Sequence, residues 1–106
     1  MARTLVNVPK RVRRGEAFEI RILIAHPMES GQRRDENGQV VPRFIINRFS
    51  CTYNGELVLE AELFPAIAAN PFFSFSAMAV DSGTIVMRWV DDAGREQSES
   101  AEIVVE

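Results

Sequence analysis

The chain contains one histidine, His26, and one cysteine, Cys51. A thiolate next to an imidazole is a nucleophilic pair, so any Ser-His-Asp or Cys-His mechanism in this sequence must use His26. A Cys51–His26 dyad is therefore one reading. The other is structural. His26 precedes Pro27 at the end of an alternating run, in phase with Phe18, Ile20, Ile22 and Ile24, which puts it on an inward face as a satisfied core histidine. Cys51 stands among Phe49, Tyr53 and Val58, where a thiol packs as a small hydrophobe and no neighbouring base need activate it.

Two acidic segments invite a metal reading and resist it. Asp35-Glu36-Asn37-Gly38 lacks the ligand spacing and closing glutamate of a calcium loop and reads better as a turn. Asp91-Asp92-Ala93-Gly94 joins two strand-like runs, so its carboxylates are expected at a solvated hairpin tip rather than as an acid/base pair. One cysteine rules out an internal disulfide and a Cys-rich zinc site. No cofactor, metal or catalytic residue is expected.

Basic residues cluster at Lys10, Arg11, Arg13 and Arg14, and again at Arg33 and Arg34. Neither cluster has the glycine-rich backbone or interleaved aromatics of a phosphate or nucleic-acid site. Solvated edge charge is one reading and an acidic docking surface the other. Residues 1–48 hold ten basic and five acidic groups and residues 49–106 two basic and ten acidic, a balance of +5 against -8. Such a split can orient a protein encounter, whereas the overall charge of -3 argues against nucleic acid as a partner.

The elements that must position these residues are strands. A length of 106 residues suits a single domain, 1–106. Alternation of period two dominates, and no long helical stripe occurs. Strand-like runs lie near 4–8, 16–26, 44–53, 56–64, 72–80, 84–91 and 97–105. This predicts an all-β fold, an immunoglobulin-like antiparallel β-sandwich of about seven strands. Trp89 has no disulfide on which to pack, so the likeness to antibody domains is architectural. No apolar run is long enough to span a membrane, and the N-terminus, with Arg3, has no signal-like segment. That pattern alone favours the cytoplasm.

Asn54-Gly55 predicts a type I′ hairpin over 44–64. A two-residue turn then sets Tyr53 against Glu56, Cys51 against Val58, Phe49 against Glu60 and Ile45 against Phe64, leaving Ile46, Leu57, Leu59, Ala61 and Leu63 on the other face. Both faces carry apolar groups. The 72–80 run repeats this, with Phe73, Phe75, Ala77 and Ala79 on one side and Phe72, Met78 and Val80 on the other. One sandwich has one core, so the surplus predicts a surface covered by a partner, or by the 63–72 connection folding back. Phe49, Cys51, Tyr53, Phe72 and Met78 are the expected partner residues. The polar 28–43 connection is long for so small a domain, and Arg33 and Arg34 make it a candidate docking loop.

Several long segments carry a resemblance as well: AHPMESG at 25–31, VPRFIINRFSCTYNGE at 41–56, LFPAIAANPFFSF at 63–75, SGT at 82–84 and WVDDAG at 89–94. With these the chain resembles the SoxZ family from about Lys10 to its end. The resemblance implies a non-catalytic sandwich that forms a heterodimer with SoxY, whose flexible glycine-rich tail presents a cysteine bearing thiosulfate-derived sulfur. Through that arm the complex would transiently meet a cytochrome, a hydrolase and a dehydrogenase. This chain ends Ala101-Glu102-Ile103-Val104-Val105-Glu106, so it looks like the half without the carrier thiol, and the carrier role does not pass to Cys51. The resemblance also implies a periplasmic protein co-exported with its partner, and the isolated chain is open to self-association as a homodimer. A generic immunoglobulin-like adaptor and a thiol enzyme using Cys51 and His26 are the alternatives.

Overall fold

The computed structural model describes residues 4–65 and 69–106. Arg3 and the centre of the 63–72 connection, residues 66–68, lie outside them. Eight strands follow one another: β1 (Thr4–Asn7), β2 (Arg11–Val12), β3 (Ala17–Ile24), β4 (Ile46–Tyr53), β5 (Glu56–Glu62), β6 (Phe72–Met78), β7 (Gly83–Asp91) and β8 (Glu96–Val105). They form a three-stranded sheet, β1-β3-β6, and a five-stranded sheet, β2-β8-β7-β4-β5. The β-sandwich read from the alternation is present. The expected seven runs are joined by the two-residue β2, which pairs with β8 in parallel, so the sheets are not wholly antiparallel.

The core lies between the sheets. Phe18, Ile20, Ile22 and Ile24 of β3 are buried on one side, and Ile46, Phe49, Cys51, Tyr53, Ile85, Met87, Trp89 and Ile103 on the other. Phe73, Phe75 and Ala77 of β6 and Leu59 and Ala61 of β5 pack against this cluster while half-exposed. Strict alternation along β3 gives its inner residues one unbroken apolar row.

Two irregularities change the hairpin register. Asn54 and Gly55 both adopt positive φ, 50° and 83°, and Tyr53 opposes Glu56 as the turn requires. Thr52 then opposes Leu57 but Cys51 opposes Leu59, so Val58 is an extra residue on β5. Phe49 consequently faces Ala61 rather than Glu60, and Leu59 and Ala61 turn inward. A second shift lies between Ile46 and Arg48 against β7. The extra residue, Asn47, lets Ile46 and Phe49 both face the core, whereas strict alternation sets them on opposite faces.

The Asn54 side chain ties the hairpin tip to the start of β7: its Oδ1 accepts the Thr84 N–H at 2.9 Å. A Cβ at position 83 would lie 1.6 Å from that oxygen. Only glycine fits between Ser82 and Thr84.

Candidate partner-binding surface

Of the five expected partner residues, the structure exposes two and buries three. Phe49 and Cys51 are 0% exposed and Tyr53 is 9% exposed, which corrects the expectation for these three. The cause is the inward phase of β4, where the three residues face Trp89, Met87 and Ile85 of β7. Tyr53 also has a structural task. Its hydroxyl donates to the Asp81 carbonyl and accepts the Val80 and Asp81 N–H groups, each at 3.2 Å, holding the β6–β7 connection. Phe72 and Met78 are more than half exposed. They stand at opposite ends of the outer face of the small sheet, Phe72 beside Leu23 and Met78 beside Ala17.

That outer face has a definite order. Leu5, Leu23 and Phe72 form one row across all three strands. The next row is Asn7, Arg21 and Ser74. Glu19 bonds both the Arg21 guanidinium and the Ser74 hydroxyl, which lowers the pKa of its carboxyl. Met78 closes the face, with Val80 exposed just beyond. On the large sheet most outward residues are polar, Glu96, Ser98, Ser100 and Glu102 of β8, Arg88 of β7, Arg48, Ser50 and Thr52 of β4, and Glu60 and Glu62 of β5, with Val86, Val90 and the exposed Leu57 among them. Such a surface is at home in water. Apolar exposure is shared between the small sheet, at Leu5, Phe72, Met78 and Val80, and the β5 side of the large one, at Leu57 and Phe64.

The cysteine and histidine are not brought together. His26 and Asp91 line one cleft, while Cys51 lies opposite Met87, four residues back along β7 from Asp91, a separation of about 13 Å along the strand. Burial pushes the Cys51 thiol up to about 11, away from a thiolate at neutral pH. His26 is 8% exposed. Its Nδ1 accepts the Met28 N–H at 3.0 Å, leaving the proton on Nε2, and desolvation lowers its pKa. The dyad is not formed, and the expected satisfied histidine is met at one nitrogen only, since Nε2 is buried without a hydrogen-bond partner among the described residues.

The acidic turns divide. At Asp35 the carboxylate accepts the Asn37 and Gln39 N–H groups and Gly38 adopts φ 78°, the expected turn. Asp91 corrects the expectation of a solvated tip: it is 5% exposed, and its Oδ1 accepts the Ala93 and Arg95 N–H groups. Asp92 clamps the end of the long loop. Arg43 grips it through two bonds, at 2.8 and 3.0 Å, and Asn47 and the Ile45 N–H complete the set. The Arg43 guanidinium holds the Asp92 carboxyl well below the usual carboxylate range. Sequence reasoning missed both roles: the bonds of Asp91 are local but its burial is set by the tertiary packing, and the partners of Asp92 come from a segment more than forty residues earlier. Within the 28–43 loop, Arg33 is paired through two bonds with Glu29 and Arg34 donates to the Gly38 carbonyl.

Among the described residues no group of three or more histidine, cysteine or carboxylate side chains is placed to hold a metal. Residues 6–102 match the family described as sulphur oxidation protein SoxZ. The chain belongs to the SoxZ family. No curated protein matches it. Among solved structures, the superoxide reductase (neelaredoxin) of Ignicoccus hospitalis aligns with a TM-score of 0.72 at 15% identity, covering 97% of this chain and 80% of that one. A putative superoxide reductase of Thermotoga maritima gives 0.72 at 16% identity, over 97% and 85%. The sulfur carrier protein SoxY of Chlorobium limicola gives 0.69 at 12% identity, over 97% and 78%. At such identities the likeness speaks for the fold alone. Membership of the SoxZ family makes the chain a subunit of a sulfur-oxidation complex.

Proposed function

We propose that this SoxZ-family protein is the non-catalytic subunit that holds a SoxY-like sulfur carrier as a heterodimer. The observation that carries the reading is the family match over residues 6–102, nearly the whole chain. The surface supports it. Phe72, with Leu5 in its row, and Met78, with Val80 just beyond it, stand exposed at the two ends of the small sheet's outer face, and exposed apolar groups of this size suit a protein interface. A carrier with its reactive thiol on a mobile arm needs a folded anchor, and tethering raises the thiol's effective concentration at each enzyme. Here the anchor contributes position and the other chain contributes chemistry. The working place of the complex is the periplasm, reached by co-export with the signal-bearing partner.

Affinity purification of the tagged chain from its own host, with mass spectrometry of what accompanies it and separation of periplasm from cytoplasm, tests this directly. The expected result is a stoichiometric periplasmic partner ending in a glycine-flanked cysteine. Met78→Glu should reduce its recovery at least about tenfold, since a charge desolvated at an apolar contact is costly. Recovery of the chain without such a partner would overturn the proposal and favour a generic immunoglobulin-like adaptor. A cytoplasmic complex would overturn its location.

A further inference from the structure

The four outer strands of the two sheets are not equally fit to be left open. A free strand edge presents unpaired N–H and C=O groups to any passing strand, and soluble proteins blunt such edges with charge, bulges, proline or brevity. β2 is two residues long and flanked by Lys10, Arg13 and Arg14. β1 has four residues among those described and lies against β8. β5 carries Glu56, Glu60 and Glu62 and is bent by the bulge at Val58. β6 has none of these devices. Its seven residues, Phe-Phe-Ser-Phe-Ser-Ala-Met, contain no charge and no proline, and its register with β3 is continuous from Phe72 to Met78.

The hydrogen-bond phase shows which backbone groups lie on that edge. The Ile24 N–H donates to the Pro71 carbonyl and the Ala79 N–H to the Glu16 carbonyl. Each of these pairs lies directly opposite in the register that sets Phe73 against Ile22 and Ala77 against Phe18. Hydrogen-bonded pairs alternate along an antiparallel ladder. Phe73, Phe75 and Ala77 therefore bond to β3, and Phe72, Ser74, Ser76 and Met78 turn their N–H and C=O groups to the open edge.

We propose that the β6 edge is where the partner joins, by strand addition, with an edge strand of a SoxY-like sandwich extending the three-stranded sheet across the interface. This rests on the proposed SoxY pairing and specifies its geometry. The known SoxY structure shares this fold, so the partner is itself a sandwich with sheet edges to offer. The side chains fit the same geometry. An added strand would lie beside Phe72 and Met78 on its outer face, and beside the half-exposed Phe73 and Phe75 on its inner face. Main-chain bonds would give affinity and these four side chains register.

Ser76→Pro separates this geometry from pairing as such. Proline there deletes an N–H on the open edge and none bonded to β3, and edge strands tolerate such a residue. The variant chain should keep its thermal midpoint within a few degrees and lose SoxY binding at least about tenfold. In the wild-type complex, amide exchange at Ser74, Ser76 and Met78 should slow at least about tenfold relative to the free chain, with Val86 and Ser100 on the polar sheet unchanged. Full binding by Ser76→Pro, or unprotected amides at 74, 76 and 78, would overturn strand addition while leaving the SoxY pairing standing. Failure of the wild-type chain to bind SoxY would remove the pairing itself. A homodimer that persists when SoxY is added and is broken by Ser76→Pro would assign the edge to self-association instead.

Discussion

The ring of Phe49 lies flat on that of Phe73, centroids 4.3 Å apart and planes within 5°. Phe49 belongs to the large sheet and Phe73 to the small one, so this stack is a direct link between the two layers. Phe75 adds an edge-on contact at 6.1 Å. Replacing Phe49 by alanine removes the buried ring and leaves a cavity that only partial collapse can fill, a loss of about 3–5 kcal/mol. For a domain of ordinary stability that is a large share of the total. Urea denaturation of Phe49→Ala and Phe49→Leu measures it, with the leucine variant expected between wild type and alanine. A loss below about 1 kcal/mol for alanine would return Phe49 to the surface role expected from sequence alone.

What was legible in the sequence followed from local rules. Alternation along Phe18 to Ile24 placed β3 and its inner face, and Asn54-Gly55 placed the hairpin turn with its positive φ angles. The long matched segments, VPRFIINRFSCTYNGE among them, carried the family, and Phe72, Met78 and Val80, read as sharing one side of their strand, are all exposed. The errors share one physical origin. A period-two pattern gives the face of a residue only while the register is unbroken, and bulges at Val58 and Asn47 break it twice within one hairpin. Which face is the core is a property of the second sheet, so Phe49, Cys51 and Tyr53 could not be assigned from their own strand. The roles of Asp91 and Asp92 depend on Arg95, Arg43 and Asn47, and only one of those partners is close to them in sequence.

The His26 imidazole ties the chain's stability to pH. Its Nδ1 must be unprotonated to accept the Met28 N–H, and Met28 in turn offers its sulfur to the Ile46 N–H at 3.3 Å. Burial lowers the folded-state pKa, the nearby Asp91 carboxylate pulling it back in part. A base whose pKa is depressed by folding binds more protons unfolded than folded. Stability therefore falls as pH drops below the unfolded value of about 6.5, with a slope of at most about 1.4 kcal/mol per pH unit, and levels off below the folded pKa. Urea midpoints measured from pH 7.5 to 5 should trace this decline, and His26→Gln should flatten it. An equal slope in the variant would place the titrating group elsewhere.

Cys51 supplies the sharpest discrimination between a scaffold and a thiol enzyme. Its side chain is enclosed between the sheets with 0% exposure, and its pKa is pushed up to about 11 because burial penalises the thiolate. Among the described residues the one hydrogen bond of the thiol is a long one, 3.9 Å, to the Thr52 carbonyl, and no cation is positioned to stabilise negative charge on sulfur. At pH 7.5 the folded chain should resist iodoacetamide at concentrations that label a free thiol within minutes, with modification following the unfolding rate and becoming rapid in denaturing urea. Cys51→Ala should leave carrier binding within about twofold of wild type, because nothing on the β6 surface changes and the loss of one sulfur from the core is a modest packing cost. Rapid labelling of the folded protein at neutral pH, or loss of sulfur-transfer activity in a reconstituted system with a folded Cys51→Ala chain, would instead make this thiol a participant in the chemistry.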